Sequence, residues 1–365
     1  MSIFSDLLVL VLSSYLAFSN FLAQNLLELF NQASGPTASL ESTLKETKTI
    51  SEYRSLESNY QNNNSIPDIL LQNLDYQSAN IIESQITPNV GSEVADALVN
   101  IYCTYSTPEY QRITTGSGFF IDDDGVILTN AHVAQFLLLD NSSTITDVRC
   151  VVQSGSPALP LYEAKLLYIS PAWVQKNANQ IITDRPRGTG ERDYALLYVH
   201  SGLDNKPLPG KFPALIVNRA FLSKELIGSA ITVAGYPAEA LSEGTDTDLK
   251  PMIATTTLTD MFTFNSNYAD VISIEESTVG QFGSSGGPIL NEAGEVIGLI
   301  TTKGSQVDNS TSLRALTMSY IDRTIIEETT FDLESTTAGQ LAFRSDLFLQ
   351  TIAPFLARIL ELELE

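Results

Sequence analysis

Ser285 stands in the run Gly283-Ser284-Ser285-Gly286-Gly287-Pro288, with glycines on either side of it. A serine hydroxyl is a weak nucleophile near neutral pH, so it needs a neighbouring base and amide donors for the charge that builds on an attacked carbonyl. Glycine lets the backbone turn tightly where a Cβ would obstruct, which suits this run to aiming the N–H groups of Gly283 and Ser285 into one concavity. The chain contains two histidines, His132 and His200, so an activated Ser285 must take one of them as base. That base needs a carboxylate on its second ring nitrogen, and the best candidate is Asp193, which opens the apolar run Asp193-Tyr194-Ala195-Leu196-Leu197-Tyr198-Val199. His200 follows that run, and at roughly 3.3 Å per residue an extended strand carries it about 23 Å from Asp193. His132 is therefore the base that this pattern offers.

The elements around His132 are legible from residue type. Gly116-Ser117-Gly118-Phe119-Phe120-Ile121, then Asp122-Asp123-Asp124-Gly125, then Val126-Ile127-Leu128-Thr129-Asn130 reads as strand, turn, strand, ending beside the histidine. A side chain at the end of a rigid hairpin is held where functional groups commonly sit. The acidic turn lacks the spaced ligands and distal glutamate of a calcium loop, so it reads as a hairpin turn.

Four segments, Gly116-Ser117-Gly118-Phe119, Thr129-Asn130-Ala131-His132-Val133, Asp193-Tyr194-Ala195-Leu196-Leu197 and Gly283-Ser284-Ser285-Gly286-Gly287-Pro288, resemble in order and approximate spacing the trypsin-like (chymotrypsin-fold) serine peptidases. The bacterial HtrA/Deg group is the nearest in flavour. Ala234-Gly235-Tyr236-Pro237 and Gly294-Glu295-Val296-Ile297-Gly298-Leu299 also look like strands that flank the active site there. The resemblance spans about residues 91 to 326. It implies a mainly β fold of two six-stranded antiparallel Greek-key barrels, with helical extensions at both ends. It also implies a serine endopeptidase acting on polypeptide substrates through an acyl-enzyme, with His132 as general base, Asp193 as its orienting acid, Ser285 as nucleophile, and the amides of Gly283 and Ser285 as oxyanion hole. By the same resemblance Val279 and Phe282 form one wall of the specificity pocket, and Thr301, Thr302 and Lys303 the opposite one. The peptide is expected to add a strand along the edge near Thr301. Val279 falls where trypsin carries the carboxylate that selects basic residues, so a neutral, small or apolar P1 side chain is expected; Arg314 or Lys303 pointing inward would instead select an acidic one. The alternative to an enzyme is an inactive trypsin-like fold that binds peptides or a surface partner.

Departures from the pattern carry their own expectations. Ser284 occupies the position where digestive members carry an aspartate that pairs with a freed N-terminus, so activation by that route is not expected. The stretch from His132 to Asp193 is longer than in minimal HtrA-like domains, and the excess lies between Ser170 and Glu191, either as a segment bordering the substrate cleft or as a surface loop pinned by Trp173. Residues 327–365 are too few for the peptide-binding (PDZ) domain that HtrA members append.

Composition narrows the field. The 20 basic and 43 acidic residues leave a formal charge of −23, which repels a polyanion and argues against nucleic acid as a partner. At 43% hydrophobic the chain is too apolar to be mostly disordered. No phosphate loop, dinucleotide fingerprint or H-E-x-x-H occurs, so no cofactor is expected; Cys103 and Cys150 lack metal-ligand spacing, so no metal is expected either. The two cysteines lie in candidate neighbouring strands, as a disulfide or as two buried thiols.

Four regions follow. Residues 1–31 read as a signal or anchor helix, because Leu7 to Leu27 contains no charge, although no Lys or Arg precedes Lys45; an amphipathic helix packed on the protein is the alternative. That segment carries the expectation of membrane association and of an extracytoplasmic, secreted or membrane-anchored protein. Residues 32–90 read as a polar linker with some helix, 91–326 as the peptidase domain, and 327–365 as a helical extension, interrupted by Pro354, that packs on a barrel or else binds a partner.

Overall fold

The computed structural model describes residues 90–364, apart from 107–110, 141–146, 184–189, 239–247, 265, 276, 281 and 308–309. The apolar segment 7–27 and the polar stretch 32–89 lie outside the described residues. Among those described, no helix is long and apolar enough to cross a membrane.

A short helix, α1 (Val90–Ala97), leads into twelve strands. The first six are β1 (Leu98–Ser106), β2 (Gln111–Asp122), β3 (Val126–Thr129), β4 (Asp147–Ser154), β5 (Leu159–Ile169) and β6 (Ala195–Gly202). They close into a barrel in the order β1-β2-β3-β6-β5-β4. The second six are β7 (Ala230–Gly235), β8 (Met252–Phe262), β9 (Val271–Ile274), β10 (Pro288–Leu290), β11 (Val296–Val307) and β12 (Ser310–Thr317), and they close in the order β10-β11-β12-β9-β8-β7. Read backwards, the second order repeats the first, so one Greek-key path is used twice. All pairings within the barrels are antiparallel. The expected two-barrel architecture is what the chain adopts.

Period-two alternation decides which core each residue joins, because successive strand side chains point to opposite faces. On β1, Val99, Ile101 and Cys103 fill the first barrel while Leu98 faces the other way. On β6, Ala195, Leu197 and Val199 face inward and Leu196 outward. The outward set meets Ala234, Phe262, Val271, Leu299 and Leu316 of the second barrel, so both strand faces are buried. This explains why these strands read as continuous apolar runs rather than alternating ones. On β12 the same rule sends Leu313 and Ala315 into the second barrel and Leu316 toward the seam.

Helices close the structure. The segment after β5 folds into α2 (Pro171–Asn177), which Ser170 caps by accepting the Trp173 N–H; Trp173 is buried against the first barrel. After β12 come α3 (Met318–Thr329), α4 (Leu333–Thr337), α5 (Leu341–Thr351) and α6 (Ala353–Leu364). The expected break at Pro354 falls between α5 and α6, with the ring in the first turn of α6 where its missing N–H costs nothing. Phe348, Ala353, Leu356 and Leu360 pack into the first barrel's core, so the extension covers that barrel.

Cys103 and Cys150 stand opposite each other on β1 and β4, with Cα atoms 4.0 Å apart, and are joined as a disulfide. The bond closes a loop of 47 residues, for which chain entropy sets a stabilisation of about 4 kcal/mol. The double variant Cys103→Ala, Cys150→Ala is expected to lose roughly 2–4 kcal/mol in urea unfolding. An unchanged midpoint would mean that the ladder alone holds these strands.

Candidate active site

Three connections meet at the seam between the barrels: the end of β3, the approach to β6, and the approach to β10. β3 ends at Thr129, and the chain turns at once into a single helical turn, Ala131–Ala134, that carries His132. Asp193 immediately precedes the residues that enter β6. Its Oδ1 accepts the His132 main-chain N–H at 2.9 Å, and its Oδ2 lies 2.7 Å from His132 Nδ1. A carboxylate only accepts, so the Nδ1 nitrogen carries the proton, and in the neutral imidazole Nε2 is left as an acceptor. Asp193 is 4% exposed, whereas the imidazole is partly open to solvent. His200 lies apart on β6, exposed, with its Nδ1 near Ser201 Oγ.

Asn130 was not assigned a role from sequence, yet it ties the site together. Its Nδ2 donates to the Asp193 carbonyl at 2.8 Å and to Thr301 Oγ1 at 3.2 Å, and it is fully buried. Thr301 is also the neighbour of Ser285, whose Oγ donates to the Thr301 carbonyl at 3.4 Å. The histidine and serine segments thus meet at Thr301 of β11, and the aspartate segment joins them through Asn130. His132 and Asp193 are hydrogen-bonded; Ser285 Oγ is on Thr301 rather than on the imidazole.

The backbone before β10 is arranged by its carbonyls. The Phe282 carbonyl accepts from Ala238 N–H at 2.7 Å, and the Ser284 carbonyl accepts from Gly287 N–H at 3.0 Å. Each trans peptide points its N–H opposite to its carbonyl, so the N–H groups of Gly283 and Ser285 face away from those partners. Neither has a hydrogen-bond partner among the described residues. Ser117 fixes the run from below: its Oγ accepts from Tyr236 N–H and donates to the Gly283 carbonyl, both at 2.8 Å. Its own N–H donates to the Ser285 carbonyl at 2.7 Å. Gly283 has φ +95° and Gly286 φ +89°, and a Cβ on Gly286 would lie 2.0 Å from the Ser117 carbonyl oxygen. The glycine requirement is therefore steric as well as conformational.

Ser284 is buried and donates its hydroxyl to the Val279 carbonyl, linking the turn to the segment before it. Val279 is buried in the second barrel's core, and Phe282 is 53% exposed. Thr301 is buried, and the side chains of Thr302 and Lys303 lie outside the described residues. Leu313 comes within 3.3 Å of where a Gly280 Cβ would sit. Arg314, the neighbour of Leu313, projects from the other face of β12, with its guanidinium 3.9 Å from the Phe262 ring centroid. It belongs to the seam between the barrels. The three carboxylates of Asp122, Asp123 and Asp124 cluster in the β2–β3 turn, where Asp122 accepts the Asp124 N–H and Asp123 pairs with Lys211.

Residues 116–299, which contain His132, Asp193 and Ser285, match the family model described as the trypsin-like peptidase domain. The chain belongs to that family. Among curated relatives, the chain is 27% identical over 219 residues to serine protease HTRA1A of Danio rerio, covering 59% of the present chain and 36% of that protein. It is also 27% identical over 218 residues to serine protease HTRA3 of Rattus norvegicus, covering 59% of the chain and 39% of the relative. The aligned region thus spans little more than a third of those proteins. A solved structure of Rv3671c from M. tuberculosis H37Rv, an inactive mutant form, matches 72% of the chain and 99% of its own at 18% identity and a TM-score of 0.40.

Proposed function

We propose that this chain, a member of the trypsin-like peptidase family, is a serine endopeptidase that hydrolyses polypeptides through an acyl-enzyme on Ser285. The observation that carries the reading is the His132–Asp193 pair at 2.7 Å, together with the convergence of Asn130, next to His132, and Ser285 on Thr301. Ser285 Oγ now rests on the Thr301 carbonyl through a long bond, which costs little to break; rotation about its Cα–Cβ bond exchanges that acceptor for Nε2 as substrate enters. The hydroxyl proton passes to Nε2 as Oγ forms its bond to the scissile carbonyl carbon. The resulting oxyanion lies on the free N–H groups of Gly283 and Ser285. His132 then protonates the departing amine, and water repeats the sequence to release the acid and restore the serine. Asp193 stays ionised throughout and stabilises the imidazolium.

Substrate binding follows from the ladder. β10 and its approach pair with β11 only as far as Ile300, through Gly286 N–H to Ile300 O and Ile300 N–H to Gly287 O. From Thr301 onward that side of β11 is an edge among the described residues, suited to an extended peptide. Leu313 closing on Gly280, with Val279 buried behind, favours a small or apolar P1 side chain. Arg314 faces the seam and is not part of that pocket.

A mixture of unstructured peptides of varied sequence, incubated with the protein and sequenced at the new termini, tests this. Cleavage after small or apolar residues is expected. Cleavage chiefly after acidic residues would reject the pocket assignment, and no cleavage of any peptide would reject the enzyme in favour of the binding role.

A further inference from the structure

Arg192, next to Asp193, adopts the left-handed backbone conformation with φ +57°, a region that a side-chain-bearing residue keeps only when its surroundings impose it. The imposing contacts come from α3. The Arg192 N–H donates to Tyr320 Oη at 3.2 Å, and the guanidinium donates to Glu328 Oε1 and to Glu327 Oε2, each at 2.8 Å. On the other side of Asp193, the Tyr194 hydroxyl meets Thr324 Oγ1 at 2.7 Å. Tyr320, Thr324, Glu327 and Glu328 are spaced by four, three and one, so they share one face of the helix. Glu328 also accepts from Ser170 Oγ at 2.9 Å and from the Tyr168 hydroxyl. It therefore holds both ends of the segment between β5 and Asp193.

The helix is fixed to the other barrel. Arg323 pairs with the buried Asp270, which precedes β9, and Met318, Ile321 and Ile325 fill the seam. Thus α3 connects the barrel that carries Ser285 to the residue that precedes Asp193.

We propose that Arg192 and Glu328 are positioning residues: their ion pair sets the direction in which Asp193 leaves the backbone, and through it the orientation of His132 toward Ser285. This rests on the assignment of Asp193 as the orienting acid. Burial, the largest influence, opposes the charge of Arg192, yet Glu328, Glu327, Tyr320 and Tyr194 together outweigh it and raise its pKa above the usual value, so the guanidinium stays charged.

The test compares wild type with Glu328→Gln, Arg192→Ala and Arg192→Lys, and with Lys176→Ala, which removes only an exposed pair to Glu191 on the same segment. Two readouts are taken on folded protein: kcat and KM on a cleaved peptide, and the downfield proton resonance of His132 Nδ1–H in the free protein. With one other histidine in the chain, His200→Gln assigns that resonance. Glu328→Gln and Arg192→Ala are expected to lose roughly 10- to 100-fold in kcat with KM held within about two-fold. They are also expected to broaden the Nδ1 proton signal or move it upfield. Arg192→Lys should recover part of both, and Lys176→Ala should change neither. A kcat within about two-fold of wild type in the first two variants, or an unaltered Nδ1 resonance, overturns the clamp. If wild type cleaves nothing the endopeptidase reading fails, while the resonance still decides the clamp by itself; if Arg192→Ala does not fold, Glu328→Gln and Arg192→Lys carry the decision.

Discussion

Replacing Asp193 with asparagine is expected to lower kcat about 10⁴-fold while the protein stays folded. The carboxylate accepts two hydrogen bonds at once, from the His132 main-chain N–H and from Nδ1–H. An amide has one accepting oxygen, so its NH2 group must face one of those donors. If it faces the imidazole, Nδ1 becomes an acceptor and the ring proton moves to Nε2, which then cannot take the serine proton. If it faces the main chain, a partly buried N–H loses its partner and the helical turn that carries His132 shifts. Single-turnover hydrolysis of a cleaved peptide measures the loss; one smaller than about ten-fold would mean that Asp193 does not set the tautomer.

Ser285→Ala is expected to remove hydrolysis almost entirely, by roughly 10⁶-fold in kcat. The stability change should be small, under about 1 kcal/mol, because the only bond lost is the long one to the Thr301 carbonyl. Thermal unfolding beside the hydrolysis assay separates the two effects. A variant that still turns over at a tenth of the wild-type rate, about 1.4 kcal/mol of lost transition-state binding, would place the nucleophile elsewhere.

Much of this site was legible from residue types. The glycines around Ser285 announced a turn that no Cβ could enter, and Gly286 against the Ser117 carbonyl is that prohibition in space. The β2–β3 hairpin and the exclusion of His200 followed from strand periodicity and rise, because both depend only on local geometry. Other features needed the fold. Whether Cys103 meets Cys150 depends on the register of β1 against β4, which no local pattern sets. Arg314 reads equally well as a pocket residue or a seam residue until the phase of β12 is known, and Leu313 on the inward face fixes it. Asn130 and Glu328 bear no mark of their roles. Glu328 is one acid among 43 acidic residues, and only the packing of α3 across the approach to β6 joins it to Arg192. Contacts between residues distant in the chain and ordinary in type are what a sequence hides.

The chemistry of Ser285 is tested most directly by reacting the protein with a fluorophosphonate and mapping the adduct by mass spectrometry. One adduct per chain on Ser285 in wild type, none in Ser285→Ala, and slowed formation in Asp193→Asn are expected. An adduct on any other residue, or a folded wild type that stays unmodified under excess reagent, would contradict the assignment.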